Sequence, residues 1–407
     1  MFYGYEKHGC GAVKFNFFFV YKGKMLLQQI NYMIHTQISL QKLELFSLDL
    51  PQKSVFKSGI GIRKSKETLI VKWTDAEGRV GYGECSCRPD PYYSAEFLAS
   101  AKLLIQHFIV PYLKASQSYN DVLLIMKKIR GWNFTKSAVE SAMFQIIKQV
   151  NPDFQLSEKL KSSKIDDVPV GISLGIYTDF AEMKAVVEQA IDEGYKRVKF
   201  KISPFVDTKL FDKINPLLFD NQVYVSFDAN GSYDYQDLGK MAYFVNTYDA
   251  YIEQPTAPSR YYVFAEAKKI YPTMKVCFDE EVKNMGDLVK LKSLNVIDEL
   301  NLKVGRVGGI SNSIEILNYC YENDIPCWIG GMFETGIGRL QNLELAQFLP
   351  NATAHDLSPS SRYFKEDIIA PEIEMKNGFI NVEKALQNQA IQETIDKYST
   401  EVIQVFG

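Results

Sequence analysis

The chain has 407 residues, 46% hydrophobic and 23% charged, enough to bury a large core and to build two domains. A net charge of −3 at pH 7 supplies no basic face for nucleic acid. No apolar run approaches the ~20 residues that span a bilayer.

The six cysteines include no CxxC pair and read as reduced, mostly buried thiols of a cytoplasmic protein. Cys85-Ser86-Cys87 offers a soft metal two thiolates but has no second pair nearby. Only four histidines occur, His8, His35, His107 and His355, too few to suggest a His-based zinc site or a Ser-His-Asp triad.

Residues 1–40 read as an extension outside the fold, carrying the aromatic run Phe15 to Tyr21 between flanking lysines. That run is too short for a secretory signal and is followed by no clear cleavage site. Residues 41–165 read as an α+β domain. Leu43–Leu48, Glu67–Trp73 and Arg79–Cys85 alternate as strands, with a turn at Asp75-Ala76-Glu77-Gly78, giving an antiparallel meander. Two irregular stretches, the glycine-rich Phe56–Arg63 and Ser86–Tyr93, read as loops. Helical patterns cover Ser94–Leu113, Tyr119–Ile129 and Ser137–Val150.

A different cadence occupies residues 166–365. Val168–Gly175 opens it, and each later apolar segment ends in a charge: Val198-Lys199-Phe200-Lys201, Val223 to Asp228, Tyr251-Ile252-Glu253, Val276 to Asp279, and Leu300-Asn301-Leu302-Lys303. Helical stretches at Asp179–Glu193, Gln236–Asn246, Ser259–Ile270, Val282–Ser293 and Ser311–Asn323 separate these strands. Ile325–Gly331 and Ala352–Leu357 supply a seventh and an eighth apolar segment, and no helix is read after the eighth. Strands and helices in this alternation make a parallel barrel whose strand ends open on one face. Three carboxylates and the lysines then share one pocket. Ionised carboxylates there need a compensating cation, and an all-oxygen ligand set suits a hard divalent ion. Residues 366–407, with Phe379–Val382 among them, are expected to pack back on the N-terminal domain.

In order along the chain, Lys199-Phe200-Lys201, Phe227-Asp228-Ala229-Asn230-Gly231, Ile252-Glu253-Gln254-Pro255, Phe278-Asp279-Glu280 and Asn301 to Gly309 carry a resemblance to the enolase superfamily. Gly81–Cys85 and Gly330–Arg339 add to it. Within that superfamily the pattern resembles the muconate-lactonising subgroup, and most of all its o-succinylbenzoate synthase and N-acylamino acid racemase branch. The resemblance spans about residues 41–390. It implies an α/β fold: a modified TIM barrel, (β/α)7β, under an α+β capping domain built from the N-terminal region and the C-terminal tail.

By resemblance, Asp228, Glu253 and Asp279 are ligands of Mg²⁺, for which Mn²⁺ can substitute. Lys201 resembles the general base, Lys199 its companion that supports the substrate carboxylate, and Lys303 the lysine across the pocket. Alternation along a strand also puts Lys199 and Lys201 on one face. Ser173 and Asn230 read as substrate contacts or as loop caps, Glu280 as a partner for a lysine, and Glu334 as bordering the substrate. Arg306 reads equally as a helix-start residue or a ligand. Both cap loops are expected to fold over the barrel mouth.

The implied activity is dehydration of 2-succinyl-6-hydroxy-2,4-cyclohexadiene-1-carboxylate to 2-succinylbenzoate, in menaquinone biosynthesis. Racemisation of N-acylamino acids by the same lysines is the alternative. Dipeptide epimerisation fits less well, because Thr353-Ala354-His355-Asp356 lacks that group's Asp-x-Asp pair. A Schiff-base lysine would leave the carboxylates without a role, and a binding scaffold would not need every one of these groups. The partner implied is a small carboxylate substrate, with neither nucleic acid nor membrane, and a homo-oligomer stays open.

Overall fold

The computed structural model describes residues 36–407, apart from residues 59–60 and 153–155. In the cap, strands β1 (Gln37–Ser58), β2 (Gly61–Asp75) and β3 (Val80–Cys85) form an antiparallel meander. Strand β4 (Ser116–Ser118) pairs with the start of β1. The sheet therefore begins at Gln37, not at residue 41, because Ile38 and Leu40 already alternate into the core. The rest of the expected extension, residues 1–35, lies outside the described residues.

The stretch Phe56–Arg63, expected to be a loop, carries the ends of β1 and β2, with Phe56 opposite Arg63 and Ser58 opposite Gly61. A register shift between Pro51 and Phe56 lets the two strands resume pairing. The helix expected over Ser94–Leu113 is shorter. An α-helix at Leu98–Leu104 passes into a π-turn at Ile105–Ile109 and a 3₁₀ turn at Val110–Tyr112, where Pro111 lacks the N–H to continue.

The helix Asn133–Val150 lies flush on β3. Glycine makes this possible: a Cβ at Gly81 or Gly83 would stand 1.9 Å from the carbonyl oxygen of Ala142 or Ala138. Gly83→Ala is therefore expected to pry helix from strand and to cost about 1–3 kcal/mol, the range for overpacking. An unchanged denaturation midpoint would contradict that seating.

Strand β5 (Asp167–Pro169) leads into the barrel, whose strands are β6 (Gly171–Leu174), β7 (Arg197–Lys201), β8 (Tyr224–Asp228), β9 (Ile252–Glu253), β10 (Val276–Phe278), β11 (Glu299–Leu302) and β12 (Cys327–Ile329), parallel and adjacent in that order. The eighth segment closes the ring. The His355 N–H donates to Pro169 O at 2.9 Å and its carbonyl accepts from Gly171 at 2.8 Å, while the Asp356 N–H donates to Ile329 O at 3.0 Å. The fold is the (β/α)7β barrel with its α+β cap. A helix at Thr208–Asp220, interrupted in pattern by Pro216, adds to those expected, as does one at Gly336–Ala346.

Alternate barrel residues turn outward to the helices. Phe200 and Phe227 pack with Phe211 and Phe244, with ring centroids 4.6 Å apart for Phe227–Phe244. That outward packing aims Arg197, Lys199 and Lys201 into the barrel.

The C-terminal segment divides between the two domains. Strand Phe379–Asn381 pairs with Asp167–Pro169 at the entry to the barrel, a correction to its expected place on the cap. Only the last strand, Ser399–Phe406, joins the cap sheet, beside β1. Among the described residues no helix is long and apolar enough to cross a membrane.

Candidate active site

Acids and lysines interleave at the carboxyl ends of the barrel strands. Lys199 Nζ lies 2.8 Å from Glu253 Oε2, Lys201 Nζ 3.2 Å from Asp228 Oδ2, and Lys303 Nζ 2.8 Å from Asp279 Oδ2. The sequence thus brings all six groups to one end of the ring. The carboxylates do not close into one tight cluster, because each is drawn to a lysine. Among the described residues, one set of three potential ligands has its donor atoms all within 4.8 Å of one another, and that set is Cys85, Cys87 and Glu96. Glu96 there accepts from the N–H groups of Phe134 and Thr135 at 3.0 and 2.6 Å. Glu96 serves the start of helix Asn133–Val150 in the way helix N-termini use carboxylates. The hydrogen-bonded Cys85 thiol beside it, and then burial, push the Cys87 thiol well above its usual range.

The strand-end acids carry the marks of crowded charge. Burial first, and then Asp228, Asp279 and Asp356 against the opposing Lys199, push Glu253 up to about 8. Burial and Asp279 push Glu280 up to about 7. Burial works against ionisation of Asp279 too, but Arg306 and Lys303 outweigh it and hold that carboxyl below its usual range. Glu280 Oε2 is buried with no hydrogen-bond partner among the described residues. The crowding pushes Glu253 and the neighbouring Glu280 towards neutrality, and Asp228, Glu253 and Asp279 make an all-oxygen donor set that fits a hard divalent cation.

Neighbouring side chains set the rest of the geometry. Asn301 Nδ2 donates to Glu253 Oε1 at 2.7 Å, fixing that carboxylate from β11. Asn230, in the left-handed region at φ 42°, accepts from Lys201 Nζ, and its own N–H donates to Asp228 Oδ1 at 3.0 Å. Ser173 Oγ donates to Asp356 Oδ2 at 3.0 Å. Glu280 accepts from Asn230 Nδ2 at 3.5 Å, and its charge also favours the Lys303 ammonium. Glu334 is buried against Asn342 and Arg339 of the barrel helix Gly336–Ala346, at 3.1 and 3.6 Å, beside the barrel–cap joint. In that joint Glu84 accepts from the Thr335 N–H at 2.9 Å and the Gly338 N–H at 3.2 Å.

The cap segment Ser86–Tyr93 reaches this end of the barrel. The Tyr93 hydroxyl lies 3.2 Å from Lys303 Nζ and also meets Arg306 Nη2. Arg306 in turn lies 3.2 Å from Asp279 Oδ1, a buried ion pair. The hairpin of β1 and β2 is anchored at its base, where the Lys53 N–H donates to Tyr363 O at 2.8 Å, just beyond the eighth segment. Sequence reasoning did not single out Tyr93, Arg197 or Asp356. Arg197 shares the period-2 face of Lys199 and Lys201, and Asp356 ends an apolar run as the other acids do.

Known proteins resemble this arrangement over nearly its whole length. Residues 182–386, just over half the chain, match the family model described as enolase C-terminal domain-like. An o-succinylbenzoate synthase from Listeria innocua is 32% identical over 359 residues, covering 88% of this chain and 94% of the relative. An N-succinylamino acid racemase from an Amycolatopsis species is 30% identical over 371 residues, covering 89% and 98%. Among solved structures, a member of the enolase superfamily from Listeria innocua superposes with a TM-score of 0.83 at 29% identity, covering 91% of this chain and 99% of that one. Barrel, cap and sequence agree, and the chain belongs to the enolase superfamily.

Proposed function

We propose that the chain catalyses the reaction of the o-succinylbenzoate synthases. That reaction is dehydration of 2-succinyl-6-hydroxy-2,4-cyclohexadiene-1-carboxylate to 2-succinylbenzoate, a step of menaquinone biosynthesis. One observation carries the reading. Lys201 on β7 and Lys303 just past β11 stand four strands apart in an eight-strand ring, facing one another, each against a strand-end carboxylate. Asp228, Glu253 and Asp279 would hold a Mg²⁺ ion. The ion supplies Lewis-acid stabilisation of charge at the substrate carboxylate.

The chain's own residues do the rest. Lys201, whose side chain is 37% exposed against 5% for Lys199 and 11% for Lys303, is the lysine open to the pocket. Its Nζ takes the α-proton and returns it to the ring hydroxyl, which leaves as water while the ring becomes aromatic. Burial opposes charge on Lys303, but Asp279 outweighs it and holds the ammonium above the usual lysine range, a fixed cation for the developing negative charge. Tyr93 covers that cation and keeps water from it.

The direct test is turnover of the cyclohexadiene substrate beside racemisation of N-succinyl amino acids, with Mg²⁺ present. Failure on the first substrate would end the reading. The second reading, racemisation, is favoured by the lysine on each face, since two-base exchange needs both. Lys303→Arg separates the two roles. Arginine keeps the cation but is effectively always protonated, so dehydration should partly survive and racemisation should be lost. Racemisation surviving in Lys303→Arg would remove Lys303 as a second acid/base.

A further inference from the structure

Asp356, at the end of the eighth barrel segment, shares its carboxylate among three groups. Lys199 Nζ lies 2.5 Å from Oδ2, Arg197 Nη2 lies 2.6 Å from Oδ1, and Ser173 Oγ also donates to Oδ2. Its main chain is pinned as well. Its N–H donates to Ile329 O at 3.0 Å and its carbonyl accepts from Arg339 Nη1 at 2.7 Å. The carboxylate therefore cannot follow Lys199 if the lysine swings.

Both cations it holds lie over one indole. The Arg197 guanidinium is 3.9 Å and the Lys199 ammonium 4.8 Å from the Trp328 ring centroid. Their side chains are only 2% and 5% exposed, so neither charge is relieved by water. Gly171 makes room for the arginine, since a Cβ there would stand 3.1 Å from Arg197 Nε. An ammonium carries three N–H donors. Two of those on Lys199 have carboxylate partners, Glu253 at 2.8 Å on one side and Asp356 at 2.5 Å on the other. With two directions fixed, the third is fixed too.

We propose that Asp356 is a positioning residue: with Glu253 it sets the Lys199 ammonium so that the remaining N–H meets the substrate carboxylate. Arg197 holds Asp356 from the other oxygen. The inference rests on the dehydration reading given above, in which Lys199 supports that carboxylate.

Three variants test it, read by steady-state kinetics on the cyclohexadiene substrate and by calorimetric binding of 2-succinylbenzoate, both with Mg²⁺. Asp356→Asn should raise KM and the product Kd ~10–100-fold, the range for one charge-assisted hydrogen bond, with kcat changed far less. That variant also leaves the buried Arg197 without its carboxylate, so its instability alone would prove little. Arg197→Met combined with Asp356→Asn removes the surplus cation and should fold as the wild type does, yet keep the raised KM and Kd. Arg197→Met alone leaves Lys199 on Asp356 but frees one oxygen of that carboxylate, so KM and Kd should rise, by less than in Asp356→Asn.

Recovery of wild-type KM and Kd in the double variant would overturn the inference, because Asp356 would then only balance Arg197. A loss in kcat with KM unchanged would overturn it too. A wild-type chain that neither turns over the substrate nor binds the product would overturn the dehydration reading and this inference with it. Wild-type turnover with unaffected variants would overturn the inference alone.

Discussion

Lys201→Ala is expected to cut kcat for dehydration by ~10²–10⁴-fold, the usual contribution of a placed acid–base group. Racemisation should fall by at least as much, since either reaction begins with the same proton. Stability should change little, because the side chain is 37% exposed and its ion pair to Asp228 spans 3.2 Å. Lys201→Arg should rescue nothing, as a permanently protonated side chain accepts no proton. Progress curves at saturating substrate decide the matter, and a loss smaller than about tenfold would take the base role away from Lys201.

Chelation should be as severe. Excess chelator is expected to reduce turnover to background, with recovery on adding Mg²⁺ or Mn²⁺, because charge stabilisation at the carboxylate must supply most of the rate enhancement. A readout independent of turnover is available in the electron paramagnetic resonance of bound Mn²⁺. Asp228→Asn, Glu253→Gln and Asp279→Asn should each weaken that signal at fixed Mn²⁺. Glu253→Gln should be the most damaging, since Lys199 and Asn301 both depend on that carboxylate. Full activity in chelator, with no metal carried through purification, would remove the ion from the mechanism.

Much of this site was legible because barrel chemistry lies at strand ends. Apolar runs ending in Asp228, Glu253, Asp279 and Lys303 announce both the strands and the pocket. The same rule would have found Asp356, which was noticed only for lacking a second aspartate nearby. Arg197 shares the alternation of Lys199 and Lys201 but escaped, because a guanidinium is seldom buried and nothing local tells of the Asp356 that pairs with it.

Pairings between distant segments were harder still. Phe379–Asn381 sits beside Asp167–Pro169 by backbone hydrogen bonds that leave no compositional trace. Glycines at 59 and 61 suggested a loop, yet the register of β1 and β2 carries on to Ser58 and Gly61. Local propensity yields there to strand pairing.

The place of Ser399–Phe406 in the cap sheet also bears on how the protein is made. Ser47 on β1 and Glu401 on that last strand are 354 residues apart along the chain. At the ~5–20 residues per second of translation, one edge of β1 waits on the order of 20–70 s for its partner. The barrel can condense on the ribosome during that interval, while the cap must leave an unpaired strand edge open to neighbouring chains. Completion of the cap sheet therefore waits on this late strand, and chaperone demand should track the time between emergence of β1 and emergence of Ser399–Phe406.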